Sequence, residues 1–195
     1  MQRFERFARL GSIALACVLV TGSLAAQEKS EEEWKSMKKE AKQQQIDATA
    51  GAALEKLLKE NPKAKELYDK AYGWAAFDNL KLGFFFSGGG GKGVAVDKKT
   101  KKRTYMEMGT VGAGFSFGGK KYEVVFLFQD SVTFKNFVNN GWQAQAAAGG
   151  TAGPASAVAQ TGFTNGLAIY QISGAGLMAD LDIAGTKYFK DKDLN

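Results

Sequence analysis

Apolar and polar positions follow a helical period up to about residue 72 and a strand period from there to the end of this 195-residue chain. Between Gln27 and Tyr72 the pattern predicts three helices. Ser30 followed by Glu33 is a capping box, and Glu31 and Glu32 suit the positive end of a helix dipole. Behind them Trp34, Met37 and Ala41 form a narrow apolar stripe, with Lys35, Lys38, Lys39 and Lys42 around it. Asp47 can cap a second helix whose apolar side is Ala53, Leu54, Leu57 and Leu58. Asn61-Pro62 starts a third, with Asn as the cap and Pro at the first helical position, ending near Tyr72-Gly73.

Beyond Gly73 the period shortens to two. Leu80 to Ser87 is β-prone, and Gly88 to Gly91 then predict a glycine-rich bend or bulge leading into Gly93-Val94-Ala95-Val96. The turn from Asp97 to Arg103 precedes a strand at Thr104–Met108. The next stretch, Met108 to Gly119, places Gly112, Gly114, Ser116 and Gly118 on one face of a predicted strand, with Val111, Ala113, Phe115 and Phe117 on the other. Glycine weakens an ordinary strand, so such a face implies another backbone or a ligand packed closely against it. Tyr122 to Phe128 is apolar on both faces and predicts a central strand. Asp130 caps a short helix carrying Val132, Phe134, Phe137 and Val138, closed by Asn140-Gly141. Trp142 to Ala148 predicts a strand, Gly149 to Gln160 a mobile loop, and Leu167–Ser173 and Leu177–Ile183 two last strands before a Tyr188-Phe189 tail. Helices first and antiparallel strands afterwards define an α+β protein: N-terminal helices packed on a curled antiparallel sheet or half-barrel.

The first residues have the order of an export leader. Arg3, Arg6 and Arg9 precede an apolar run from Leu10 to Val20 and the small-residue stretch Gly22 to Ala26. Residues 1–26 are therefore expected to be a signal peptide cleaved after Ala26, with Ala25 as the alternative. A rival reading makes Cys17 a lipoprotein cysteine after Ala14-Leu15-Ala16, although apolar residues continue well past it. Cleavage leaves 27–72 as a helical segment and 73–195 as a β-rich region, together one compact domain that is periplasmic or secreted. The mature chain then has neither Cys nor His, which excludes disulfides, thiolate chemistry, the Ser-His-Asp arrangement and the usual zinc sites. With three Arg and one Glu in the leader, the whole-chain charge of +6 falls to +4. That balance mildly favours anionic partners, and no basic–aromatic motif points to nucleic acid.

The remaining motifs are those of binding rather than of chemistry. Ser87 to Gly93 fails as a phosphate loop: Phe86 stands where the first glycine should, and Gly93 follows Lys92 where a hydroxyl is required. Gly109 to Gly119 fails as a dinucleotide fingerprint because no helix pattern follows. Lys98, Lys99, Lys101, Lys102 and Arg103 crowd one turn, either a solvated hairpin tip or a patch for anionic lipid head groups. The helix bearing Trp34 and Met37 beside its lysines is a second candidate for a membrane interface, or simply a helix covering the sheet. Asp180 and Asp182 are too few for a calcium site, and Asp191-Lys192-Asp193 reads as a solvated tail. No metal, cofactor or acid–base pair of carboxylates is indicated.

From Gly73 onward the chain resembles the SYLF (YSC84-type) domain, in particular its exported bacterial branch. The resemblance is carried by Gly88-Gly89-Gly90-Gly91-Lys92-Gly93-Val94, Gly109-Thr110-Val111-Gly112-Ala113-Gly114 and Phe137-Val138-Asn139-Asn140-Gly141-Trp142. It continues through Ile169-Tyr170-Gln171, Gly174-Ala175-Gly176-Leu177 and Gly185-Thr186-Lys187-Tyr188-Phe189. It differs from many relatives at Phe77-Asp78 and at Tyr105-Met106-Glu107. Membership implies phospholipid binding, of phosphoinositides in eukaryotic members, some of which also bind actin. The expected function is peripheral, non-enzymatic binding of an anionic phospholipid membrane through Trp34, Met37, Lys35, Lys38, Lys39, Lys42 and the 98–103 turn, with Gly88, Gly91, Gly93, Gly112, Gly114 and Gly118 as structural glycines. The alternatives are a module that binds an envelope protein and a carrier of a small apolar molecule.

Overall fold

A computed structural model describes residues 11–83, 86–113, 118–143, 162–173, 176–177 and 186–195, with side-chain surroundings outside 11–28, 81–87, 111–118, 120 and 176–177. The chain divides into two compact units, Met1–Lys42 and Gln43–Asn195. Helix α1 (Gly11–Glu60) contributes to both, α2 is Pro62–Lys70 and α3 is Ser131–Asn140. The strands are β1 (Gly73–Gly83), β2 (Phe86–Asp97), β3 (Arg103–Ala113), β4 (Gly118–Phe128), β5 (Trp142–Gln143), β6 (Leu167–Ser173), β7 (Gly176–Leu177) and β8 (Thr186–Lys190). They form one curled antiparallel sheet in the order β5-β8-β3-β2-β1-β4-β6-β7, so the chain is α+β.

Both faces of that sheet are covered. On one face, Ile46, Ala50, Leu54 and Leu57 of α1 and Ala64 and Leu67 of α2 pack on Val94, Tyr105, Val125, Leu127 and Tyr170. On the other, Phe134, Phe137 and Val138 of α3 pack on Phe77, Phe126, Phe128 and Tyr188. The second core is aromatic: the Tyr188 ring lies 4.6 Å from Phe77 and 4.9 Å from Phe126, and Phe137 lies 4.9 Å from Phe128. Such edge-on and tilted pairs add to the gain from burial alone. As its two-sided apolar pattern requires, β4 runs between β1 and β6.

Local capping signals mark two of the helices. The Asn61 side chain accepts the Ala64 N–H at 3.0 Å, with Pro62 opening α2. Asp130 accepts the Thr133 N–H at 2.8 Å, and α3 ends at Gly141, whose φ of +77° is the left-handed conformation glycine adopts without strain.

Four sequence expectations are corrected. Ser30 and Asp47 do not begin helices, because α1 runs unbroken through both. Residues 27–50 contain neither glycine nor proline, so nothing forces the chain out of helix where a cap would act. Gly88 to Gly91 are no bend but the middle of β2, paired residue for residue with β1 on one side and β3 on the other. The run from Met108 to Gly119 is not one strand: Gly112 lies in β3 and Gly118 opens β4, with β2 and β1 between those strands. Finally, Tyr188 and Phe189 belong to β8, which extends the sheet beside β3 and buries Tyr188 completely. The strand expected over Trp142–Ala148 is described only at Trp142 and Gln143. The 149–160 loop, Asp180 and Asp182 lie outside the described residues.

Candidate functional site

The cationic residues singled out in the sequence, together with Lys92, lie in three settings. The first lies within the N-terminal unit, on α1. At about 100° per residue, Trp34, Met37 and Ala41 line one stripe, and Lys38, Lys42, Lys35 and Lys39 follow in that order around the adjoining arc. Trp34 is 55% and Met37 59% exposed. Lys35, Lys38 and Lys42 are exposed as well, and Lys39 is half-buried. The Lys38 ammonium sits 4.8 Å over the Trp34 ring, a cation–π pair across one helical turn.

The second setting is the turn between β2 and β3. Asp97 organises it: its carboxylate accepts the N–H groups of Lys99 at 2.9 Å and Thr100 at 2.8 Å, and the Tyr72 hydroxyl at 2.6 Å. Those donors, Tyr72 foremost, hold the Asp97 carboxyl below the usual carboxylate range. Lys101 takes the left-handed conformation, with φ +60°, to close the turn. The five basic residues here do not share one role. Lys98 folds back on α2, with its ammonium 2.5 Å from the Tyr68 carbonyl oxygen and 4.3 Å over the Tyr68 ring, and burial lowers its pKa. Arg103 pairs with Asp47 of α1 at 3.3 Å. Lys99, Lys101 and Lys102 remain exposed, with no ion pair among the described residues. Asp47, expected as a helix cap, instead accepts Arg103 and the Tyr105 hydroxyl at 3.1 Å.

The third setting is an ion cluster at the chain's end. Lys92 of β2 lies 2.6 Å from both Glu107 of β3 and Asp191. Asp191 is not solvated, as the sequence suggests, but 2% exposed, and it also accepts the N–H groups of Asp193 and Leu194. Burial alone would raise the Asp191 carboxyl, but Lys92 and those N–H groups outweigh it and hold the pKa down. The same carboxylates raise the Lys92 ammonium despite its partial burial.

The glycines assigned to close packing are placed differently from one another. A Cβ on Gly91 would collide with the Asn79 side chain and the Asp78 carbonyl, and one on Gly93 with the Ala76 carbonyl and the Phe77 ring. At Gly88 it would meet open space. Gly112 lies near the end of β3 and Gly118 at the start of β4, whereas Gly114 is outside the described residues.

Two cations that sequence reasoning missed, Lys135 of α3 and Lys190 of β8, line a cleft with Lys102, Asp97, Thr104 and Asn139. They are far apart in sequence, and only the packing of α3 beside β8 brings them together. Among the described residues no group of His, Cys, Asp and Glu could hold a metal ion, and no helix is long and apolar enough to cross a membrane.

Residues 109–195 match the family model described as "Ysc84: Las17-binding protein actin regulator", which bears out over that stretch the resemblance read from the sequence. Over 149 residues the chain is 46% identical to Beta cell expansion factor A of Aeromonas veronii, a match covering 76% of this chain and 57% of that protein. The chain thus spans little more than half the length of that curated relative.

Proposed function

We propose that the protein is an exported, non-enzymatic binder of anionic phospholipid membranes that docks peripherally. The observation that carries this reading is the exposure of Trp34 and Met37 on α1 with four lysines along one adjoining arc. An indole and a thioether in water lose apolar hydration when they enter the head-group boundary, and the lysines beside them meet anionic lipid there. Lys99, Lys101 and Lys102 give the β-rich unit its own cationic tip, and each basic residue near such a surface contributes about 1 kcal/mol. The match to a family with lipid-binding domains supports the reading. Export is carried by the charged, apolar and small-residue order of residues 1–26.

Co-sedimentation with phosphatidylcholine vesicles, with and without phosphatidylglycerol and at rising salt, tests it. Binding should need the anionic lipid and weaken as salt screens the charges. Equal binding to neutral vesicles at every salt concentration would remove the electrostatic mechanism.

The family description, which names a protein partner, favours a second reading as a protein-interaction module. Co-purification of one stoichiometric envelope protein in the absence of lipid would select it.

A further inference from the structure

We propose that the cleft between the β2–β3 turn, α3 and β8 is a seat for a phosphomonoester dianion. The cleft has a volume of about 250 Å³, and Lys102, Lys135 and Lys190 reach it from three separate elements. A water molecule takes up roughly 30 Å³ of liquid, so the space is ample for the five non-hydrogen atoms of a phosphate with part of its ester group.

The charges in the lining decide which anion fits. Lys92, Lys98 and Arg103 are already engaged with carboxylates or carbonyls of the fold. Lys102, Lys135 and Lys190 are exposed and make no ion pair among the described residues. The one acid in the lining, Asp97, already takes donors from Tyr72, Lys99 and Thr100. Three ammonium groups against one carboxylate leave two positive charges uncompensated, the complement of a phosphomonoester dianion rather than of a phosphodiester or carboxylate monoanion. Lysines serve such a group as point charges, and the Thr104 hydroxyl and Asn139 amide add directional donors.

The phosphate can be carried by a lipid such as phosphatidic acid or by a soluble ester such as glycerol 3-phosphate. With a lipid source the seat rests on the membrane reading above; with a soluble source it stands apart from it. The full-length protein and two double variants, Lys135→Gln/Lys190→Gln in the cleft and Lys99→Gln/Lys101→Gln outside it, separate these cases. Vesicles of phosphatidic acid and of phosphatidylglycerol are matched in surface charge, and thermal unfolding is followed against glycerol 3-phosphate and glycerol. All four substituted lysines are exposed, so both variants should fold as the parent does.

The parent should prefer phosphatidic acid vesicles, and the cleft variant should lose binding to them by about fivefold per lysine removed, more than it loses binding to phosphatidylglycerol. The outer pair should weaken both lipids alike. A parent that binds both vesicles equally and ignores glycerol 3-phosphate keeps the membrane reading and overturns the seat. A cleft variant that retains the preference also overturns it. If no vesicle is bound but glycerol 3-phosphate raises the melting temperature of the parent and not of the cleft variant, the seat stands with a soluble ligand and the membrane reading falls.

Discussion

The Lys92 ammonium and the Asp191 carboxylate lie 2.6 Å apart and tie the glycine-rich middle of β2 to the last five residues of the chain. Asp191 also caps the final turn, and the neighbouring Asn195 side chain accepts the Tyr105 N–H at 3.0 Å. The C-terminus is therefore a fixed part of the β-rich unit.

Replacing Asp191 with Asn should lower stability by about 2 kcal/mol, because a charged acceptor of several hydrogen bonds is lost from a buried position. The pH dependence has a definite sign. Asp191, Asp97 and Asp130 all have carboxyls held below their ordinary value of about 3.9, so their contribution is present above that value and is lost as pH falls through the lower, folded ones. Lys92 and the buried Tyr188 are raised, so theirs is present below their ordinary values of about 10 and is lost as pH rises through the folded ones. Urea midpoints measured from pH 2 to 11 should show a plateau with two falling flanks. An acid flank as steep in Asp191→Asn as in the parent would disprove the role given to this residue.

Alanine at Gly88 and at Gly93 should part company. The first adds a methyl group in open space and is expected to change stability by under about 0.5 kcal/mol. The second drives a Cβ against the Ala76 carbonyl oxygen, a backbone atom that no rotamer change can move, and should cost about 2 kcal/mol or more. Denaturant unfolding of the two variants compares them directly.

Asn79 is buried between β2 and β4, and among the described residues neither polar atom of its amide has a hydrogen-bond partner. An unmet amide costs about 1–3 kcal/mol, so Asn79→Leu should be neutral or stabilising. A loss of more than about 1 kcal/mol would show that the amide is satisfied in solution by water or a bound molecule.

Trp34→Ala should weaken vesicle binding severalfold while leaving thermal stability unchanged, since the side chain is largely exposed. A blue shift of tryptophan emission on adding vesicles, present in the parent and reduced in Trp34→Ala, would locate the indole at the interface. A falling melting temperature with intact binding would instead make Trp34 a packing residue.

Much of the fold is written locally. Asn61-Pro62, Asp130 and Asn140-Gly141 mark helix ends through hydrogen bonds spanning only a few residues, and the structure uses all three. The two-sided apolar run of Tyr122–Phe128 needs cover on both faces, and β4 has it. The misreadings have a common origin. A cap at Ser30 or Asp47 is overridden when the preceding residues are free to stay helical, and a glycine run resembles a bend until partners on both sides hold it extended. The buried Asp191 resembles a solvated tail because Lys92, its partner, stands 99 residues away.

The sequence alone determined the α+β class, the central strand, the capped helices, the family resemblance and the basic character of the 98–103 turn. Each of these depends on composition or on neighbours within one or two turns of chain. Tertiary structure alone decided which of those basic residues make no ion pair among the described residues, that Tyr188 and Phe189 lie in a strand, and that Lys102, Lys135 and Lys190 share one cleft. Those outcomes depend on which strands pair and which helix covers which face. Contacts between distant segments, not local preference, set that choice.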